Sequence, residues 1–331
     1  MESGREELTN QIVKSFQVAR VHRQHQRPVA CLDTTQDGSI TVSSSSDNNI
    51  VVYDTLEGTV TGKVPVRKYG AGVIRFVQDS NPPTVVTAST AEDNKIRALD
   101  IESHSYVRYF DGHDSQVVSI AASPAGPDFI SCCEDSYVML WDCRSENPLG
   151  RVKTDGTPVV AYDPKGLIFG VAYRAANAKT LVKLYDARNY KDGPFLEFPL
   201  SNPSHSLPTC LKFSSDGEFF LLVDADSDAK VSVYDAYKGA TYRTLSGHSN
   251  ARGIPLEASF SPNSAFISSG SDDGSVYVWD LQADTLLLNV PSIHAMATTC
   301  TIWNPVYALL VTACQNVAFW LPSEDTKDNS Y

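Results

Sequence analysis

Seven times along the chain a hydrophobic stretch ends in nearly the same four-residue phrase, and this repetition limits the possible folds more than any single residue does. The phrases are Val51-Val52-Tyr53-Asp54, Arg97-Ala98-Leu99-Asp100, Met139-Leu140-Trp141-Asp142, Lys183-Leu184-Tyr185-Asp186, Ser232-Val233-Tyr234-Asp235, Tyr277-Val278-Trp279-Asp280 and Ala318-Phe319-Trp320-Leu321. In the last, Leu321 stands where the other six carry an acid. Successive ends are 46, 42, 44, 49, 45 and 41 residues apart. A period of about 40–45 residues is that of one four-stranded blade in a ring of sheets. Seven such units closed on themselves make one domain, where 331 residues alone would allow two.

Within each unit short β-rich runs alternate with Pro, Gly, Asp and Asn clusters, the pattern of successive hairpins. No helical apolar periodicity longer than two turns competes, so the sequence predicts an all-β, seven-bladed β-propeller. The seventh unit has only three strands before Pro322, while Phe16-Gln17-Val18-Ala19-Arg20-Val21 alternates ahead of the first unit. Pairing the two protects strand edges that would otherwise be open at both ends of the chain. The expected division is an N-terminal segment with the ring-closing strand over 1–22, the propeller over 23–322 and a disordered polar tail over 323–331.

The polar start, with Glu2, Glu6 and Glu7, is the opposite of a basic signal peptide. No run of about 18 apolar residues provides a membrane span, so a soluble, unsecreted protein is expected. The seven cysteines show no Cys-x-x-Cys spacing, and no His or Cys partner completes a metal set around Cys132, Cys133 and Cys143. Buried thiols in a reducing compartment are the expectation. The Asn202-Pro203-Ser204 triplet is blocked as a glycosylation site by its proline. A formal charge of −12 argues against general nucleic-acid binding, which rests on Lys and Arg meeting phosphates. The charge is uneven, however: from Lys63 to Arg108 there are seven bases against five acids. No Gly-rich phosphate loop or carboxylate pair suggests catalysis, and no cofactor or metal is expected.

Specific residues resemble the WD-repeat family. Gly112-His113 and Gly247-His248 match its Gly-His dipeptide, and Trp141-Asp142 and Trp279-Asp280 match its Trp-Asp. The resemblance implies two buried hydrogen-bonded sets, His113, Ser131, Asp135 and Trp141, and His248, Ser269, Asp273 and Trp279, with only these two blades able to carry a full set. A buried indole N–H needs an acceptor and a buried imidazole needs its tautomer fixed, so such groups satisfy one another. A nucleophilic triad is set aside because the set recurs, is tied to Trp by spacing, and lies inside a sheet.

Beyond the repeat, Leu8 to Pro322 resembles one subfamily: the WD-repeat subunit shared by the COMPASS histone H3 methyltransferase complex and by transcription termination and RNA 3′-end processing complexes. The segments that carry it include Ser15-Phe16-Gln17-Val18-Ala19, Lys68-Tyr69-Gly70, Val107-Arg108-Tyr109-Phe110, Lys191-Asp192-Gly193-Pro194-Phe195 and Leu256-Glu257-Ala258-Ser259-Phe260. The resemblance implies a nuclear, non-catalytic scaffold. Its partner would be a histone methyltransferase catalytic subunit or a termination or phosphatase-targeting factor, linked to RNA polymerase II. Neither sequence-specific nucleic acid nor membrane is expected as a partner. A substrate receptor of a ubiquitin ligase, or another interaction scaffold, is the alternative. Lys68, Tyr69, Arg75, Arg97, Arg108 and Tyr109, on or near blade two, are candidates for one face that binds a phosphorylated polymerase tail or an acidic segment through charge-assisted hydrogen bonds.

Overall fold

The computed structural model describes residues 8–78, 80–200, 206–291 and 293–323. Glu2, Glu6, Glu7, the Asn202-Pro203-Ser204 triplet and most of the expected tail lie outside the described residues. Among those described, seven four-stranded antiparallel sheets surround one axis. Blade one comprises Val29–Thr34, Ile40–Ser45, Asn49–Asp54 and Thr59–Pro65. Blade two comprises Ile74–Phe76, Thr84–Ala88, Ile96–Asp100 and Ser105–Phe110. Blades three to six follow the same plan, and in every blade the first strand is innermost, because first strands of neighbouring blades touch around the axis.

The repeated phrases are the third strands, and their burial explains their composition. In Tyr137–Asp142, Val138 to Trp141 are all buried, because a blade packs against a neighbour on each face. Such strands read as continuous apolar runs, without the alternation of a sheet that has one wet face. The acid that ends the phrase caps the turn that follows. Asp54 Oδ1 accepts from the backbone N–H groups of Leu56 and Glu57 at 3.0 and 2.9 Å, and Asp235 does the same for Tyr237 and Lys238.

Blade seven is built from Cys300–Trp303, Leu310–Ala313 and Val317–Pro322, and its outermost strand is Phe16–His22 from the other end of the chain. The pairing is antiparallel, from Phe16 opposite Pro322 to His22 opposite Val317. The N-terminal segment does more than complete one sheet. Asn10 Nδ2 donates to Asp280 at 2.7 Å and Asn263 Nδ2 donates to the Leu8 carbonyl at 2.9 Å, both on blade six. On the other side Arg20 Nη1 donates to the Gly58 carbonyl of blade one at 2.6 Å. The all-β expectation misses a five-residue helix here, Asn10–Lys14, capped by Thr9, which places Val13 in the core with Phe16, Trp303 and Trp320. One turn is too short to leave a helical period in the sequence. Among the described residues a 3₁₀ turn, Tyr190–Asp192, is the other departure. Ser323, the start of the expected tail, donates its N–H to the Ser15 carbonyl at 3.0 Å.

Candidate functional site

The buried hydrogen-bonded sets stiffen the ring on which any partner would rest. In blade three the Trp141 indole donates to Ser131 Oγ at 2.8 Å, and Ser131 Oγ is 2.6 Å from His113 Nε2. Asp135 does not join them: it is exposed, and His113 Nδ1 has no hydrogen-bond partner among the described residues. In blade six His248, Ser269, Asp273 and Trp279 are near one another without that chain of bonds. Ser269 Oγ donates to the Gly270 carbonyl, Asp273 caps Ser275, and His248 meets Trp279 ring to ring at 5.5 Å.

The expectation that only two blades carry a full set is overturned. Blade one holds the complete relay, with a tyrosine in place of tryptophan. Tyr53 Oη is 3.1 Å from Ser43 Oγ, Ser43 Oγ is 2.7 Å from His25 Nε2, and His25 Nδ1 is 3.2 Å from Asp47. The carboxylate can only accept, so Nδ1 carries the proton, Nε2 accepts from Ser43, and Ser43 accepts from Tyr53. Blade seven repeats the indole, hydroxyl and imidazole part of it: Trp320 Nε1 donates to Thr312 Oγ1 at 2.8 Å, which is 2.8 Å from His294 Nε2. Burial holds His113 and His294 at a pKa of about 4, and it also lowers His25. All three imidazoles are neutral links, and Ser43 is wholly buried.

Blade two keeps the hydroxyl position as Thr87 but has Leu99 where the indole would stand. Here Arg97 organises the outer edge. Its guanidinium carbon is 3.4 Å from the centre of the Tyr69 ring and 5.5 Å from that of Tyr109, with Lys68 Nζ 4.9 Å from the Tyr69 ring centre. Asp93 clamps it with two bonds of 3.0 and 2.6 Å, Ser89 Oγ accepts a further one, and hydrogen bonding to Arg97 holds the Asp93 carboxyl down to about 2. A bulge in the outermost strand sets Tyr109 opposite Arg97 and Tyr106 opposite Leu99, so two tyrosines three residues apart share one face.

The six candidate binding residues therefore do not form one face, which corrects that expectation. Lys68, Tyr69, Arg97 and Tyr109 cluster at the edge of blade two, but Arg97 has its charge committed to Asp93 and a side chain only 3% exposed. Arg108, opposite Ala98, is on the reverse side of its strand, within electrostatic reach of Asp142 on blade three. Arg75 is on the innermost strand and points into the central channel. Charges adjacent in a β-strand sequence are driven to different places by its two-residue period.

The channel residues align by one turn hydrogen bond common to all seven blades, made by the N–H of Thr35, Val77, Ser123, Asp163, Ser214, Ser261 and Asn304. Two residues earlier in each blade stand Asp33, Arg75, Ala121, Ala161, Lys212, Ser259 and Ile302, one ring around the axis. The ring is charged at blades one, two and five and has only alanine at blades three and four, which leaves a cavity of about 450 Å³ beside the charges. Glu257 reaches in from the next ring up, where its equivalents in blades one, five and seven are Cys31, Cys210 and Cys300. Its carboxylate is 3.5 Å from Arg75 Nη2 and 3.6 Å from Lys212 Nζ. Arg75 Nη1 also meets the Cys31 thiol and the carbonyls of Leu32 and Ile74. Burial pushes the Cys31 thiol up to about 11, so it is neutral, and burial also raises Asp33, which accepts from the Phe76 N–H at 2.6 Å. Among the described residues no group of three metal-ligating side chains is present.

Comparison with known proteins places this geometry. The WD domain, G-beta repeat, matches residues 16–54, 104–142 and 239–280, which end on the third strands of blades one, three and six. WD repeat-containing protein 82 of Drosophila melanogaster is 37% identical over 318 residues, covering 96% of this chain and 98% of that protein. The chain belongs to the WD repeat-containing protein 82 family. Set1 complex component swd2 of Schizosaccharomyces pombe is 28% identical over 88% of this chain and 92% of its own length. COMPASS component SWD2 of Saccharomyces cerevisiae is 27% identical over 94% and 95%. The likeness to this family runs through all seven blades, well beyond the three segments that match the repeat itself. The sets in blades one and seven escape the Gly-His and Trp-Asp signatures, but a spacing marks them: in blades one, three and seven the histidine precedes its hydroxyl partner by 18 residues.

Proposed function

We propose that this chain is a nuclear, non-catalytic scaffold subunit of a Set1 or COMPASS type histone H3 methyltransferase assembly, and of related termination or phosphatase-targeting complexes. The carrying observation is the match, over nearly the whole of both chains, to proteins named as Set1 complex and COMPASS components. The residues support a structural role for the one triad-like arrangement among the described residues, His25, Asp47 and Ser43. Its hydroxyl is sealed between blades and already bonded to Tyr53, so no nucleophile reaches solvent there. The partner is a methyltransferase catalytic subunit, or a termination or phosphatase-targeting factor in other complexes. Affinity purification from nuclear extract tests this. Methyltransferase or termination subunits are the expected catch, whereas ubiquitin-ligase subunits in their place would overturn it.

Contact with a phosphorylated RNA polymerase II tail is the finer part of the proposal, and the exposed Lys68 and neighbouring Arg67 at the edge of blade two support it. Titration with phosphorylated and unphosphorylated tail peptides at two salt concentrations is the check. Equal weak binding of both would remove this part and leave the scaffold role standing.

A further inference from the structure

Several Lys and Arg ion pairs elsewhere are tight, Arg97 to Asp93 at 2.6 Å, Lys95 to Asp111 at 2.5 Å and Arg144 to Asp142 at 2.8 Å, while the longer ones, Lys183 to Glu197 at 3.3 Å, Lys230 to Asp228 at 3.2 Å and Arg243 to Asp284 at 3.8 Å, have at least one well-exposed partner. The three tight pairs have the lengths of charge-assisted bonds in direct contact. In the channel, Glu257 is shared by Arg75 and Lys212 at 3.5 and 3.6 Å, and among the described residues Asp33 has no basic nitrogen within 4.0 Å. Two bases and two acids thus converge on one cavity with their pairing incomplete. Their charges cancel, so a purely anionic or purely cationic ligand would meet as much repulsion as attraction. A ligand that carries both signs meets four complementary groups. The open side of the ring, at Ala121 and Ala161, provides the room.

We infer that the central channel at the level of Asp33, Arg75, Lys212 and Glu257 is a binding site for a partner segment carrying one basic and one acidic side chain close together in sequence. The basic group faces Asp33, and the acidic group takes Lys212 and Arg75 from their loose contacts with Glu257. Burial raises the Asp33 carboxyl against the opposing pull of Arg75 and Lys212, and an arriving cation relieves that cost of burial. This rests on the scaffold reading, since it assigns to the channel a peptide of the kind such a subunit holds.

The test uses the full chain and four fluorescent peptides of one Gly-Ser framework that carry neighbouring Asp and Arg, Asp alone, Arg alone, or neither. Anisotropy at low salt is expected to show the two-charge peptide binding at least about ten-fold more tightly than either single-charge peptide, the size of one charge-assisted hydrogen bond. Asp33→Asn is expected to remove the gain from Arg and Lys212→Met the gain from Asp. Ala121→Leu, which fills the open side and leaves every charge in place, is expected to abolish binding. Equal affinity for all four peptides, or affinities unchanged in the three variants with native melting, overturns the site. Parallel purification from nuclear extract separates the two ideas: variants that still capture the methyltransferase sink the channel site alone, and failure of the unaltered chain to capture it sinks the scaffold reading.

Discussion

The guanidinium of Arg97 sits over the ring of Tyr69, 3.4 Å from its centre, while Asp93 grips it with two hydrogen bonds. Blade two lacks the indole, imidazole and hydroxyl set, and this stack joins its loop to its third strand instead. Arg97→Ala is expected to lower unfolding stability by about 2 kcal/mol, below the usual cost of halving a fully buried pair because Asp93 is partly solvated. Arg97→Lys is expected to recover less than half, since an ammonium keeps the charge but loses the fork and the stack. Denaturant midpoints of the two variants check both statements.

Ser131→Ala removes the atom shared by Trp141 and His113 and leaves two buried groups unpaired. A loss of about 2 kcal/mol is expected. Ser269→Ala in blade six, where the hydroxyl serves only the Gly270 carbonyl, is expected to cost less than half as much. Equal losses in thermal or denaturant unfolding would contradict the difference between the two blades.

Stability is expected to fall in mild acid. His113, His248 and His294 are held at about 4 by burial, against an ordinary value of 6.5. Between those values the unfolded chain takes up protons that the folded chain refuses. The contribution is therefore full above pH 6.5 and lost as pH drops toward 4, by about 1.4 kcal/mol per pH unit for each histidine. Unfolding free energies measured from pH 7 to 4.5 should show this slope, made shallower by His294→Gln.

Removal of residues 1–22 opens the outer edge of the last blade and strips contacts from blades six and one. Aggregation or loss of soluble monomer is expected on size-exclusion chromatography. A truncated chain that elutes as monomer with unchanged melting would show that the first strand is dispensable.

The ring and its closure were legible because they follow from strand patterns: seven phrases at one period and an alternating stretch before the first. The buried sets were read less well. Gly247-His248 and Trp279-Asp280 carry the signature, yet the loop held by Asn250, which bonds both ways with Ile254, sets Ser269 21 positions after His248, not 18, and the hydroxyl is not bonded to the ring. His25 and His294 lack the preceding glycine and still make the bonds, because what matters is loop depth and the hydroxyl opposite. The candidate binding residues were read least well. Composition shows that blade two is basic, but whether an arginine faces solvent, an aspartate or the axis depends on strand register and on bulges such as the one beside Arg108, which a linear charge count does not contain.

Because Phe16 pairs with Pro322, the outermost strand of the last sheet leaves the ribosome long before its partner, with all the other blades synthesised in between. Until Val317–Pro322 has been made the early strand has no place to dock, and the nascent disc stays open at one seam. A premature stop ahead of Val317 therefore yields an unclosed ring, not a slightly shorter subunit, and the cell's quality control would meet it as an exposed sheet edge.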